Sequence, residues 1–136
     1  MFYRLILYNI RLFPDTNVKM IYTKKQIELL SKSIEGDKDA FKRLVVESKS
    51  LAALESALRG NEEATNWLLK NEKILAIFDS AVDGNNSAVR LLLKRKEFTL
   101  AAVANYIRGD EKAFEWLKKH KLNQYIKLAR SIKSIR

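Results

Sequence analysis

Residues Leu75–Leu93 read LAIFDSAVDGNNSAVRLLL, and this run decides the fold. Leu75, Phe78 and Val82 recur at three- and four-residue steps before Gly84, and Ala88 and Leu92 lie four and eight residues after it. Such spacing puts apolar groups on one stripe of a helix. Glycine readily takes the left-handed conformation that ends a helix. Asn85, directly behind it, suits the cap that starts the next helix. The run therefore predicts two helices joined by a minimal corner.

All four glycines obey the same rule. Gly36, Gly60, Gly84 and Gly109 are spaced 24, 24 and 25 residues apart, and Asp37, Asn61, Asn85 and Asp110 follow them. Ala40, Ala64, Ala88 and Ala113 stand four after each glycine, and Leu44, Leu68, Leu92 and Leu117 stand eight after. Ahead of them run Leu30, Leu54, Phe78 and Val103, six before each glycine. A fixed register of this kind marks tandem repeats. The expected fold is all-α: a stack, or α-solenoid, of four helix-turn-helix repeats of 24–25 residues, with about nine short helices. The helices before the glycines, here termed B, are expected near 24–35, 50–59, 73–83, 98–108 and 123–134. The A helices after them are expected near 38–47, 62–71, 86–95 and 111–120. Rods of about ten residues are marginal alone in water, so they must be stabilised side by side.

The domain reading is an N-terminal extension at 1–19 and one helical-repeat domain at 20–136. Two readings of the extension stand open. It covers an open end of the stack as a helix or strand, or it is a poorly ordered stretch ahead of a true start at Met20. An apolar stack end also leaves two expectations for assembly, a monomer or an end-to-end homodimer.

Cysteine is absent, which excludes disulfides and thiolate chemistry and fits a reducing, cytoplasmic setting. The longest apolar stretch, Phe2 to Phe13, is broken by Arg4, Asn9 and Arg11 and is too short to span a bilayer. It has no small-residue cleavage site of the signal-peptide kind. No membrane association is expected. The 26 Lys and Arg exceed the 16 Asp and Glu by ten, a balance that favours polyanionic partners.

The run around Gly84, with Val89, Leu92 and Leu93, resembles the helix pair of an ankyrin repeat, G-x-x-x-x-V-x-x-L-L. The stretch through Gly109, Phe114 and Leu117 is similar. The Thr-Pro-Leu-His opening and the hairpin after the second helix are missing, so hairpin fingers are not expected. The resemblance implies a helical solenoid that binds a protein partner, and it assigns no residue a role.

Candidate chemistry is sparse. His120 is the lone histidine and sits in a Lys-Lys-His-Lys run, where a surface position near a helix end is expected. Asp79 and Asp83 stand one turn apart and are expected on a solvated face. No nucleophile, phosphate-loop or metal motif occurs, so neither enzymatic activity nor a cofactor is expected. The charge layout says more. Acids gather at the glycine corners: Asp37, Asp39, Glu62, Glu63, Asp110 and Glu111. Bases gather where A turns into B: Lys94, Arg95 and Lys96, then Lys118, Lys119 and Lys121. A stack should thus show an acidic edge opposite a basic one. Those six basic residues, with Trp67 and Trp116 seven after their glycines, are the candidate partner-binding residues. The two tryptophans also fit simple packing beside Leu68 and Leu117. The function expected is a non-enzymatic interaction module for a protein partner. Nucleic-acid binding by the basic turns is the alternative.

Overall fold

The computed structural model describes residues 22–136, so both readings of the 1–19 extension lie outside the described residues. Nine helices occur among the described residues, with no strand. They are α1 (Lys24–Ile34), α2 (Lys38–Glu47), α3 (Lys49–Leu58), α4 (Glu62–Asn71), α5 (Lys73–Val82), α6 (Asn86–Lys94), α7 (Phe98–Ile107), α8 (Glu111–Lys119) and α9 (Asn123–Ile135). The odd-numbered helices are the B set and the even-numbered ones the A set.

Local chemistry sets the corners. The four glycines have φ between 95° and 105°, a region in which a side chain would strain the backbone. At the first corner, the Gly36 amide donates to the Ser33 carbonyl and the Asp37 amide to the Lys32 carbonyl, each at 3.0 Å. These two bonds close the helix end. Asp37, Asn61, Asn85 and Asp110 then accept the amides of Ala40, Ala64, Ala88 and Ala113, at 3.0, 3.0, 3.1 and 3.4 Å. Thr23 and Gln26 form a reciprocal capping box at the start of α1, with both bonds at 3.1 Å.

The A-to-B turns come in two kinds. Ser48, in extended conformation, and Glu72 each serve as the only linker residue, between α2 and α3 and between α4 and α5. The two later turns run over 95–97 and 120–122. There Lys96 and Lys121 take left-handed φ of 62° and 56°. This longer turn accounts for the 25-residue step to Gly109.

Packing follows the columns. Leu44, Leu68, Leu92 and Leu117 are all fully buried, as are Leu30, Phe78 and Val103. Each such leucine contributes about 1.5–3 kcal/mol by leaving water. Each A helix lies against the B helices before and after it. Successive B helices also touch: α1 with α3, α3 with α5, α5 with α7, and α7 with α9. The stack then bends until α9 packs on α1, so the five B helices form a closed inner ring. The expected open ends therefore meet each other. Ile27 on α1 and Leu128 and Ile132 on α9 are buried at 2% exposure or less.

Candidate interaction surfaces

A and B helices alternate in direction, so all B helices run one way. Their C-terminal ends and the glycine corners share one rim, and the A-to-B turns share the other. A ten-residue helix separates the rims by about 15 Å.

The turn rim carries the basic candidates. Lys94, Arg95, Lys96, Lys118, Lys119 and Lys121 are all exposed. Exposed Lys127, Arg130 and Lys133 extend this charge along α9, which no A helix follows among the described residues. Arg130 is held in place: its Nε donates to the Tyr106 hydroxyl at 3.3 Å and its guanidinium covers the Phe114 ring. His120 stacks on Trp116 with centroids 4.3 Å apart, and its Nδ1 lies 2.9 Å from the Trp116 carbonyl. The histidine is thus half-buried and engaged in packing. At the same rim, burial pushes the Tyr22 and Tyr125 phenols up to about 12, and nearby glutamates, Glu72 beside Tyr22 and Glu97 beside Tyr125, add to the shift. Tyr125 is 4% exposed, because α9 packs on α1 as well as on α7.

The two tryptophans part ways. Trp116 is 3% exposed and belongs to the core, so it is a packing residue and no part of an open surface. Trp67 is half-buried, with the Lys49 ammonium 5.3 Å from its ring. Near it in sequence stands a feature that the tryptophan column did not reveal. Val45, Val46 and Leu69 are 48%, 86% and 54% exposed on the outer helices α2 and α4. Val46 occupies the column that holds Lys70, Lys94 and Lys119 in the other repeats. That column mismatch was the available signal.

One acid near the glycine rim is not on the solvated face expected for it. Asp79 is only 7% exposed, whereas Asp83, one turn on, is exposed. Burial raises the Asp79 carboxyl above its ordinary range, and the Arg136 guanidinium partly offsets this. Arg136 Nη2 stands 3.6 Å from Asp79 Oδ1, and Nη1 pairs with Asp83. Glu55, also buried, accepts from Ser33 Oγ at 2.9 Å and pairs with Arg59. Among the described residues no His, Asp or Glu cluster is placed to hold a metal ion, and no helix is long and apolar enough to cross a membrane. Comparison with protein-family models, curated proteins and solved structures gave no match.

Proposed function

We propose that the chain is a non-enzymatic helical-repeat module, working in the cytoplasm, that binds a protein partner through the outer face of α2 and α4. The observation that carries this reading is the exposure of Val45 and Val46 on α2 and of Leu69 on α4, the helix that also carries half-buried Trp67. Single exposed apolar residues are ordinary, but Val46, 86% exposed in a column otherwise filled by lysine, suggests a contact surface. Covering each would contribute on the order of 1 kcal/mol, and Trp67 offers the kind of anchor that dominates interfaces. The ankyrin-like helix pair supports the same reading.

The test is capture from source lysate with wild type and a Val46→Lys/Leu69→Lys variant, each with and without nuclease. A protein retained by wild type, lost by the variant and indifferent to nuclease supports the reading. Equal capture by both chains refutes it.

A second reading rests on a different observation, the exposure of every lysine and arginine at the two later turns, Lys94 to Lys96 and Lys118 to Lys121, and of Lys127, Arg130 and Lys133 on α9. Such a surface suits a phosphate backbone. Binding of this kind weakens steeply with salt and is lost when Lys94, Arg95 and Lys96 are reversed to glutamate. A missing shift with DNA or RNA at low salt removes it.

A further inference from the structure

The five B helices run parallel, so their carbonyl ends converge on the glycine rim. Each helix end carries about half a negative charge. Glu55, Asp79 and Asp83 add carboxylates to the same place. The chain answers with guanidinium groups, supplied by the residue just before a glycine. Arg59, before Gly60, reaches back to the first corner and donates from Nη2 to the Ser33 and Ile34 carbonyls at 3.1 and 2.7 Å. Arg108, before Gly109, reaches back to the third corner and donates to Asn86 Oδ1 at 3.3 Å. By the same rule the residue before Gly84 should bridge the second corner. That residue is Asp83.

The second corner is served from across the ring instead. Arg136, following α9, places Nη2 3.4 Å from the Leu58 carbonyl and 3.6 Å from Asp79 Oδ1, with Nη1 on Asp83. It lies in an open recess of about 490 Å³ lined by Ala57, Leu58, Thr65, Asp79, Asp83 and Ile135, among others. A second observation points to a ligand here. Asp79 is more than nine-tenths buried, and its Oδ1, facing Arg136, accepts no hydrogen bond. A buried carboxylate oxygen held at 3.6 Å from a cation is incompletely satisfied.

We propose that this recess is a guanidinium receptor, which takes an arginine side chain of a partner protein in the place that Arg136 holds. Two carboxylates and a helix-end carbonyl converge on a planar group with five donors. Lysine, with its compact ammonium, meets only part of that set. Arg136 then acts as the chain's own competitor, and a partner binds by displacing it. The site lies on the glycine rim and stands independently of the outer apolar face.

The experiment titrates the full chain, as wild type and as Arg136→Ala, with Nα-acetyl-argininamide, read by backbone amide shifts of Leu58, Thr65 and Asp83. Saturable shifts are expected in Arg136→Ala, with at least tenfold tighter binding than in wild type. Nα-acetyl-lysinamide should bind at least tenfold more weakly, and Asp79→Asn added to Arg136→Ala should abolish the shifts. Equal affinity in wild type and Arg136→Ala, equal response to the lysine probe, or unchanged binding in the double variant overturns the proposal. If Arg136→Ala fails to fold, the wild type alone decides. The Arg136 Nε resonance must then move toward its free position as the arginine probe is added, and an unmoved resonance overturns the proposal.

Discussion

Ser131 on α9 donates its hydroxyl to Glu35 Oε1 across 3.0 Å, joining residues 96 apart in the chain. The same hydrogen is shared with the Lys127 carbonyl at 3.0 Å. This contact seals the ring at the glycine rim, beside the direct packing of α9 on α1. In an open repeat array the end helices touch one neighbour and fray first. Here α9 touches α1, α7 and α8.

Ring closure therefore predicts that α9 matters as much as a middle helix. Ile132, fully buried, should cost about 2–5 kcal/mol when changed to Ala, like a central core residue. Ser131→Ala should cost about 1 kcal/mol. Urea unfolding measures both. Amide exchange gives the sharper check, since α9 should be protected to the same extent as α5. Exchange of α9 in advance of an otherwise protected core would show an end that is open.

The two left-handed lysines predict the opposite sign. Lys96 and Lys121 hold φ of 62° and 56°, a conformation that costs an ordinary residue about 1–2 kcal/mol. Glycine relieves that strain but gives up about 0.5–1 kcal/mol of backbone entropy. Lys96→Gly and Lys121→Gly should each stabilise the chain, by a few tenths to about 1 kcal/mol. Lys96→Ala retains the strain and should show no such gain. A loss of stability in both glycine variants would mean that the lysine side chains hold these turns.

These particular residues also show which features were legible in the sequence. The glycine corners were, because a left-handed glycine and the cap behind it are local chemistry repeated four times. The longer A-to-B turns were legible only as charge, since lysine gives no hint of positive φ. Ring closure was not legible, because the Ser131–Glu35 pairing has no local signature. The burial of Asp79 was not legible in its one-turn spacing from Asp83, which fits a solvated face equally well. Its own column holds Ser31, Glu55 and Ala104, all buried, and the small members of that column were the signal for an enclosed position. The outer apolar set was less legible than the tryptophans, which stand two columns before Val45 and Leu69 and three before Val46.

Asp79 predicts a pH-dependent effect. Its carboxyl is raised in the folded chain, chiefly by burial, so the folded state favours the protonated form. That contribution to stability is present below the ordinary aspartate range and is lost as pH rises through the folded value. At neutral pH the ionised group is a net cost. Asp79→Asn removes the charge at similar shape and should stabilise the chain by up to about 1 kcal/mol at neutral pH. The difference should vanish in acid, where both chains are neutral at this position. Urea unfolding at the two pH values tests it. Destabilisation at neutral pH would instead make the Arg136 contact a net favourable ion pair.

The phenols predict an alkaline limit. Tyr22 and Tyr125 ionise near 12 in the folded chain, against about 10 when unfolded. Between those values the folded state keeps protons that the unfolded state has released. Stability is therefore intact below pH about 10 and falls as pH rises toward 12, by about 1.4 kcal/mol per pH unit for each fully shifted group. Tyr22 is half-buried and screened by water, so Tyr125, 4% exposed, should dominate. Phenolate absorbance should rise late and together with the loss of helical circular dichroism. Tyr125→Phe should flatten the fall in stability between pH about 10 and 12, because phenylalanine has no proton to lose. Ionisation of Tyr125 near pH 10 with the helices intact would contradict its placement between α9 and its neighbours.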